Sequence, residues 1–139
     1  MSVINTPQFT GTNSISSASN KLANISFSIY GIGHFLHLTT GSYAQHMALG
    51  ELYTGLPDLV DPIIENLMSN KSWNIKYTNV DLTGATGIDL CDTVMAAAQE
   101  LHTALSSNDP IPTLIAMIND VEALISFISG VKYKLVRLS

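Results

Sequence analysis

Residues 22–53 read LANISFSIYGIGHFLHLTTGSYAQHMALGELY. Leu22, Ile25, Ile29, Ile32 and Leu36 recur three or four apart, the interval at which side chains return to one face of an α-helix. Thr39-Thr40-Gly41-Ser42 breaks that stripe with a glycine suited to a helix C-terminus, then a hydroxyl suited to an N-cap. The apolar period resumes at Tyr43, Met47, Leu49, Leu52 and Tyr53. So short a break between two long stripes predicts an antiparallel helical hairpin, with helix A over about 15–38 and helix B following at once.

Helix B carries its apolar positions on through Leu56, Leu59, Val60, Ile63, Ile64 and Leu67 to about Met68. Gly50, Gly55, Pro57 and Pro62 lie inside it, and each proline removes a backbone donor, so a kink or a break into two pieces is expected. From Ser69 to Gly87 the pattern is a brief alternation through Trp73, Ile75, Tyr77 and Val80, which reads as an extended crossover. Helix C is read over 88–106, with Leu90, Val94, Ala97, Ala98, Leu101 and Leu105 on its apolar face. Helix D is read over 111–131, with Asp109-Pro110 as its cap and first-turn proline. The fold class is therefore all-α, an antiparallel four-helix bundle with two tight hairpins and a long B-to-C crossover. Residues 1–13 read as an extended N-terminal arm and 14–139 as one domain, the size at which a single core suffices.

Charged residues make up 12% of the chain and hydrophobic ones 46%, against roughly 25% charged in ordinary soluble domains. A sphere so poor in polar covering is expected to bury more surface against copies of itself, as a homo-oligomer. The net charge is −5, and three of the six basic residues, Lys132, Lys134 and Arg137, sit near the C-terminal end. That is a poor footprint for nucleic acid, which is bound by clustered cations. Cys91 stands alone, which excludes an intramolecular disulfide, fits a reducing compartment and suggests a buried small hydrophobe. The Ser/Thr/Asn-rich residues 1–20 lack the basic and apolar segments of a signal peptide. No uninterrupted apolar run approaches the roughly 20 residues that span a bilayer. A cytoplasmic protein with no membrane partner is expected.

Three of the four histidines, His34, His37 and His46, crowd the A–B turn. Asp61 and Glu65 lie four apart on helix B and share a face. His34 with His46, and Asp61 with Glu65, each read as half of a metal site, yet His46 and Asp61 are 15 residues apart, or about 22 Å at helical rise. A second subunit must complete the site, and two hairpins packed antiparallel about a two-fold axis would set the histidine end of one against the carboxylate end of the other. Mixed imidazole and carboxylate donors suit iron first, with zinc or manganese as alternatives, better than calcium. His37 is read either as an accessory ligand or as a partly buried hydrogen-bonding group, and His102 as structural. Glu51, Asp58 and Glu100 are read as surface or supporting charges, and Tyr43 and Tyr53 as packing aromatics. Gly31-Ile32-Gly33 lacks a preceding strand and is no dinucleotide fingerprint.

The stretch from His34 through Thr39-Thr40-Gly41-Ser42 to His46 resembles the Dps-type miniferritins of the ferritin-like superfamily, from the end of their helix A to the start of helix B. The intervals of 12, 15 and 4 residues separating His34, His46, Asp61 and Glu65 match that family's ferroxidase ligands, and Leu49 matches an apolar position beside them. The resemblance implies a ferritin-like bundle, a hollow dodecamer, and Fe(II) oxidised between two-fold-related chains and stored inside. It departs from the family at Phe35, where tryptophan is usual, and in the lack of a lysine-rich arm, so DNA protection is not implied. The alternative reading is a non-enzymatic structural or assembly protein, such as a virion or shell component, that keeps the bundle with a vestigial or stabilising metal site.

Overall fold

A computed structural model describes residues 12–70 and 73–138. Most of the expected arm, residues 1–11, lies outside the described residues, as do residues 71 and 72 of the expected crossover. The described chain forms four α-helices and no strand: α1 (Thr12–Thr39), α2 (Tyr43–Asn70), α3 (Gly87–Ser106) and α4 (Pro112–Arg137). They pack as a bundle in which α1 and α4 each lie against both α2 and α3.

The core is built from the stripes that the sequence displays. Leu22 and Ile29 on α1, Leu52, Leu56, Ile63 and Leu67 on α2, Leu90, Val94 and Leu101 on α3, and Leu114, Val121, Leu124 and Ile128 on α4 are all buried. Each such side chain contributes about 1.5–3 kcal/mol when removed from water. Cys91 is buried among them, a small hydrophobe as expected.

Local chemistry sets the helix ends. At the α1–α2 turn the Ser42 hydroxyl accepts from the Gln45 N–H at 3.2 Å, as an N-cap does, and Thr40 Oγ1 accepts from the Ser42 N–H. Thr86 and Asp89 form a capping box at the start of α3, with Thr86 Oγ1 accepting from the Asp89 N–H and Asp89 Oδ2 accepting from the Thr86 N–H. The Thr86 backbone N–H, and then the Thr86 hydroxyl, hold the Asp89 carboxyl below its ordinary range.

Four expectations are corrected. The prolines do not break α2, which runs unbroken from Tyr43 to Asn70 through Pro57 and Pro62. Leu52, Leu56, Val60, Ile63 and Leu67 anchor the opposite side of the helix in the core, while Pro62 is exposed and water can serve the carbonyl it leaves unpaired. Asp61, just before Pro62, is therefore helical. The cap of α4 is Ile111 without a side-chain bond, and its first-turn proline is Pro112, not the Asp109-Pro110 pair. α4 also continues six residues beyond Val131, because Gly130 faces open space and Leu135 resumes the buried stripe. Finally, α4 is long and apolar enough by length and composition to cross a membrane, since Asp120 and Glu122 interrupt its apolar run without outweighing it; in the bundle its stripe from Leu114 to Leu135 is buried.

The segment between α2 and α3 has no regular secondary structure over residues 73–82 and is fastened to α1. Asn20 Oδ1 accepts from the Lys76 N–H, Asn24 donates to the Lys76 carbonyl and accepts from the Thr78 N–H, and the Ser28 hydroxyl donates to the Val80 carbonyl. Asn20, Asn24 and Ser28 stand four apart on α1, so one polar line on that helix satisfies the backbone of an extended strip.

Candidate metal centre

The hairpin of α1 and α2 gathers His34, His37 and His46 at its turn end. His37 and His46 stack with ring centroids 3.7 Å apart and planes 20° from parallel. Each ring bonds the other residue's backbone: His37 Nδ1 lies 2.6 Å from the His46 carbonyl, and His46 Nδ1 lies 2.7 Å from the His37 carbonyl. A carbonyl only accepts, so both Nδ1 atoms carry the proton and donate. In the neutral rings the lone pair is then on Nε2, the arrangement in which a ligating histidine is oriented by a backbone carbonyl.

His34 is held differently. Its ring lies 4.8 Å from that of Tyr53 at 19°, a stacked pair, and among the described residues it makes no hydrogen bond. Tyr53 also meets His37 edge-on at 5.4 Å and Tyr30 edge-on at 5.7 Å. Two glycines make room for this cluster. A Cβ on Gly33 would stand 2.9 Å from Tyr53 Cβ, and one on Gly50 would stand 3.0 Å from the His37 ring.

Asp61 and Glu65 lie further along α2. Both border a recess between α1 and α2 whose walls include Ala23, Phe27 and Ile64, and a neighbouring recess is lined by Phe27, Tyr30, Pro57 and Asp61. Among the described residues neither carboxylate has a hydrogen bond or ion pair. The structure thus places the histidines at the turn end of the hairpin and the two carboxylates beside these recesses, and does not bring the two halves together within the chain. Among the described residues no three His, Cys, Asp or Glu side chains converge on a point that could hold a metal ion.

Phe27, Tyr30, Phe35 and Leu38 on α1 and Tyr43 and Met47 on α2 are each about half exposed or more, and of these Phe27 and Tyr30 line the recesses beside Asp61. Tyr53 was legible in the sequence only as a packing aromatic, whereas it is the hub on which His34, His37 and Tyr30 meet. The available signal was a pair of small residues inside helices, Gly33 and Gly50, which mark close approach.

Elsewhere several ionisable groups are paired. His102 Nε2 donates to Glu122 Oε2 at 2.9 Å, which bears out its structural reading and pins α3 to α4. Glu51 pairs with Lys134 and Glu100 with Lys21, both as surface charges. Burial, and then the charge of Asp92, pushes the Cys91 thiol up to about 11, so it is no nucleophile near neutral pH.

A family model described as a family of unknown function, DUF5856, matches residues 37–135. No curated protein and no solved structure is matched by the chain.

Proposed function

The chain belongs to the DUF5856 family, and we propose that it is a miniferritin-like subunit that binds Fe(II) between two copies of itself. His34 and His46 ligate from one chain and Asp61 and Glu65 from its mate, with His37 as an accessory donor and zinc or manganese as competing ions. Fe(II) is the substrate, oxidised there by peroxide or dioxygen and passed on for storage. The observation that carries this reading is the α1–α2 hairpin, which bears imidazoles with free Nε2 atoms at its turn end and two carboxylates without partners further along α2. Antiparallel pairing of two such hairpins brings opposite halves together twice, which a single chain cannot do.

The finer architecture belongs to the same proposal. Asp92 meets Lys132 while His102 meets Glu122, which supports an antiparallel α3–α4 pair. Asn20 bonds Lys76 while Ser28 bonds Val80, which supports a crossover that returns along α1 as in the ferritin-like superfamily. A dodecameric shell in the cytoplasm completes the reading.

The residues divide the work by chemistry. Carboxylates supply hard anionic oxygen and imidazoles supply neutral nitrogen, the mixture that holds iron while leaving positions open. The half-exposed aromatic side chains exclude water once a second copy covers them. The alternative, a structural or assembly protein, draws on those same exposed apolar side chains, which suit self-association with or without a metal.

Complementation tests the reading. A variant lacking the nitrogen half (His34→Ala, His46→Ala) and one lacking the oxygen half (Asp61→Ala, Glu65→Ala) are each expected to bind no iron in anaerobic titration. Co-refolded in equal amounts they recover about a quarter of wild-type capacity, since half the dimers are mixed and each mixed dimer has one intact site of two. An intact wild-type oligomer without specific iron would overturn the proposal in favour of the assembly protein.

A further inference from the structure

We infer that Tyr53 is the positioning residue of this centre, holding the His34 imidazole by its face so that both ring nitrogens stay free for a divalent metal. The inference rests on the metal-binding reading above and concerns what that reading leaves open, namely how a half-exposed histidine without a hydrogen bond is kept in one orientation.

The three histidines are anchored by two different devices. His37 and His46 are oriented through Nδ1, each at the expense of one nitrogen. His34 has no such bond among the described residues, and its ring lies flat against Tyr53, 4.8 Å between centroids and 19° from parallel. Imidazole lone pairs lie in the plane of the ring, so a stacked neighbour fixes the plane while covering neither nitrogen. An outer partner that fixes a ligand's orientation normally does so by accepting its second N–H; here an aromatic face does it.

Tyr53 is in turn fixed on three sides. Tyr30 meets it edge-on, His37 meets it edge-on, and Gly33 on α1 gives its Cβ a place that any other residue would contest at 2.9 Å. The phenol hydroxyl takes no part in holding His34, so the ring and not the Oη carries the role. Gly33 is thereby explained as well: it stands next to His34 in sequence and admits from α2 the ring on which His34 rests.

The test uses Co(II) as the probe on the full-length oligomer, with affinity read from its visible d–d absorption. Tyr53→Phe is expected to bind within about two-fold of wild type, and Tyr53→Leu to bind about 10- to 100-fold more weakly, the usual cost of losing an orienting partner. Gly33→Ala, which pushes on Tyr53 and leaves every ligand in place, is expected to weaken binding in the same direction and serves if the leucine variant fails to fold. Equal affinity in wild type and Tyr53→Leu overturns the inference, and so does an equal loss in Tyr53→Phe.

The metal-free protein gives a second readout. The His34 ring protons are expected upfield in the wild type and in Tyr53→Phe, shifted by the stacked ring, and near ordinary histidine values in Tyr53→Leu. No upfield shift in the wild type overturns the positioning role. Absence of Co(II) binding with the upfield shift present overturns the metal reading and leaves the stack standing.

Discussion

Two sets of ionisable groups on the bundle are held differently. On the α3–α4 side, Asp92 pairs with Lys132 at 2.6 Å and His102 with Glu122 at 2.9 Å, and both pairs are largely solvated. On the α1–α2 hairpin, three histidines and the carboxylates of Asp61 and Glu65 have no oppositely charged neighbour among the described residues, and aromatic rings pack on the histidines. A surface that neutralises its own charges is finished as a monomer surface. One that leaves donors and acceptors unmatched is the surface on which the proposed pairing of two copies rests.

The largest effect should come from charging one face and not the other. Tyr30→Lys places an ammonium among the exposed aromatics of the α1–α2 hairpin and is expected to weaken self-association by about 2 kcal/mol or more, as loss of a central aromatic does. Ile115→Lys, on the exposed side of α4, is expected to leave association unchanged. Sedimentation of both variants over a dilution series decides it; equal behaviour would remove the distinction between the faces.

A smaller contrast lies in two glycines given the same side chain. Gly50→Ala would put a Cβ 3.0 Å from the His37 ring and is expected to destabilise by about 1–3 kcal/mol through overpacking. Gly130→Ala points into open space on α4 and is expected to stabilise by about 0.5–1 kcal/mol, the helix cost of glycine being removed. Urea unfolding of each variant checks both signs, and a stabilised Gly50→Ala would mean that His37 is not packed there.

The smallest effect belongs to the paired side. Glu122→Gln removes the carboxylate facing His102 and is expected to cost less than about 1 kcal/mol, because both partners are open to solvent. A thermal melt showing more than that would make the α3–α4 pair a structural requirement and narrow the contrast with the α1–α2 hairpin.

Much of the fold was legible because helical periodicity is a local property. The stripe from Leu22 to Leu36, the break at Thr39-Thr40-Gly41-Ser42 with Ser42 as cap, and the faces of α3 and α4 follow from which side chains recur at 3.6 residues and which can cap a helix. The continuity of α2 was not legible, since proline argues for a break wherever it stands, and only the burial of Leu52, Leu56, Ile63 and Leu67 outweighs it. Nor was the extra length of α4, where Gly130 resembles a stop until Leu135 is seen to be buried. The use of Asn20, Asn24 and Ser28 for the backbone of residues 76–80 is visible only in space.

By itself, then, the sequence determined four amphipathic helices, the ends of most of them, and the spacing of two histidines and two carboxylates along one hairpin. The tertiary structure alone decided that Asp61 and Glu65 border a recess beside Phe27, that His37 and His46 are oriented through Nδ1, and that His34 rests on Tyr53. The reason is physical. Periodicity and capping act between residues three or four apart, whereas stacking, ring orientation and the space left by Gly33 and Gly50 depend on where α1 and α2 touch, which the packing of the whole bundle sets.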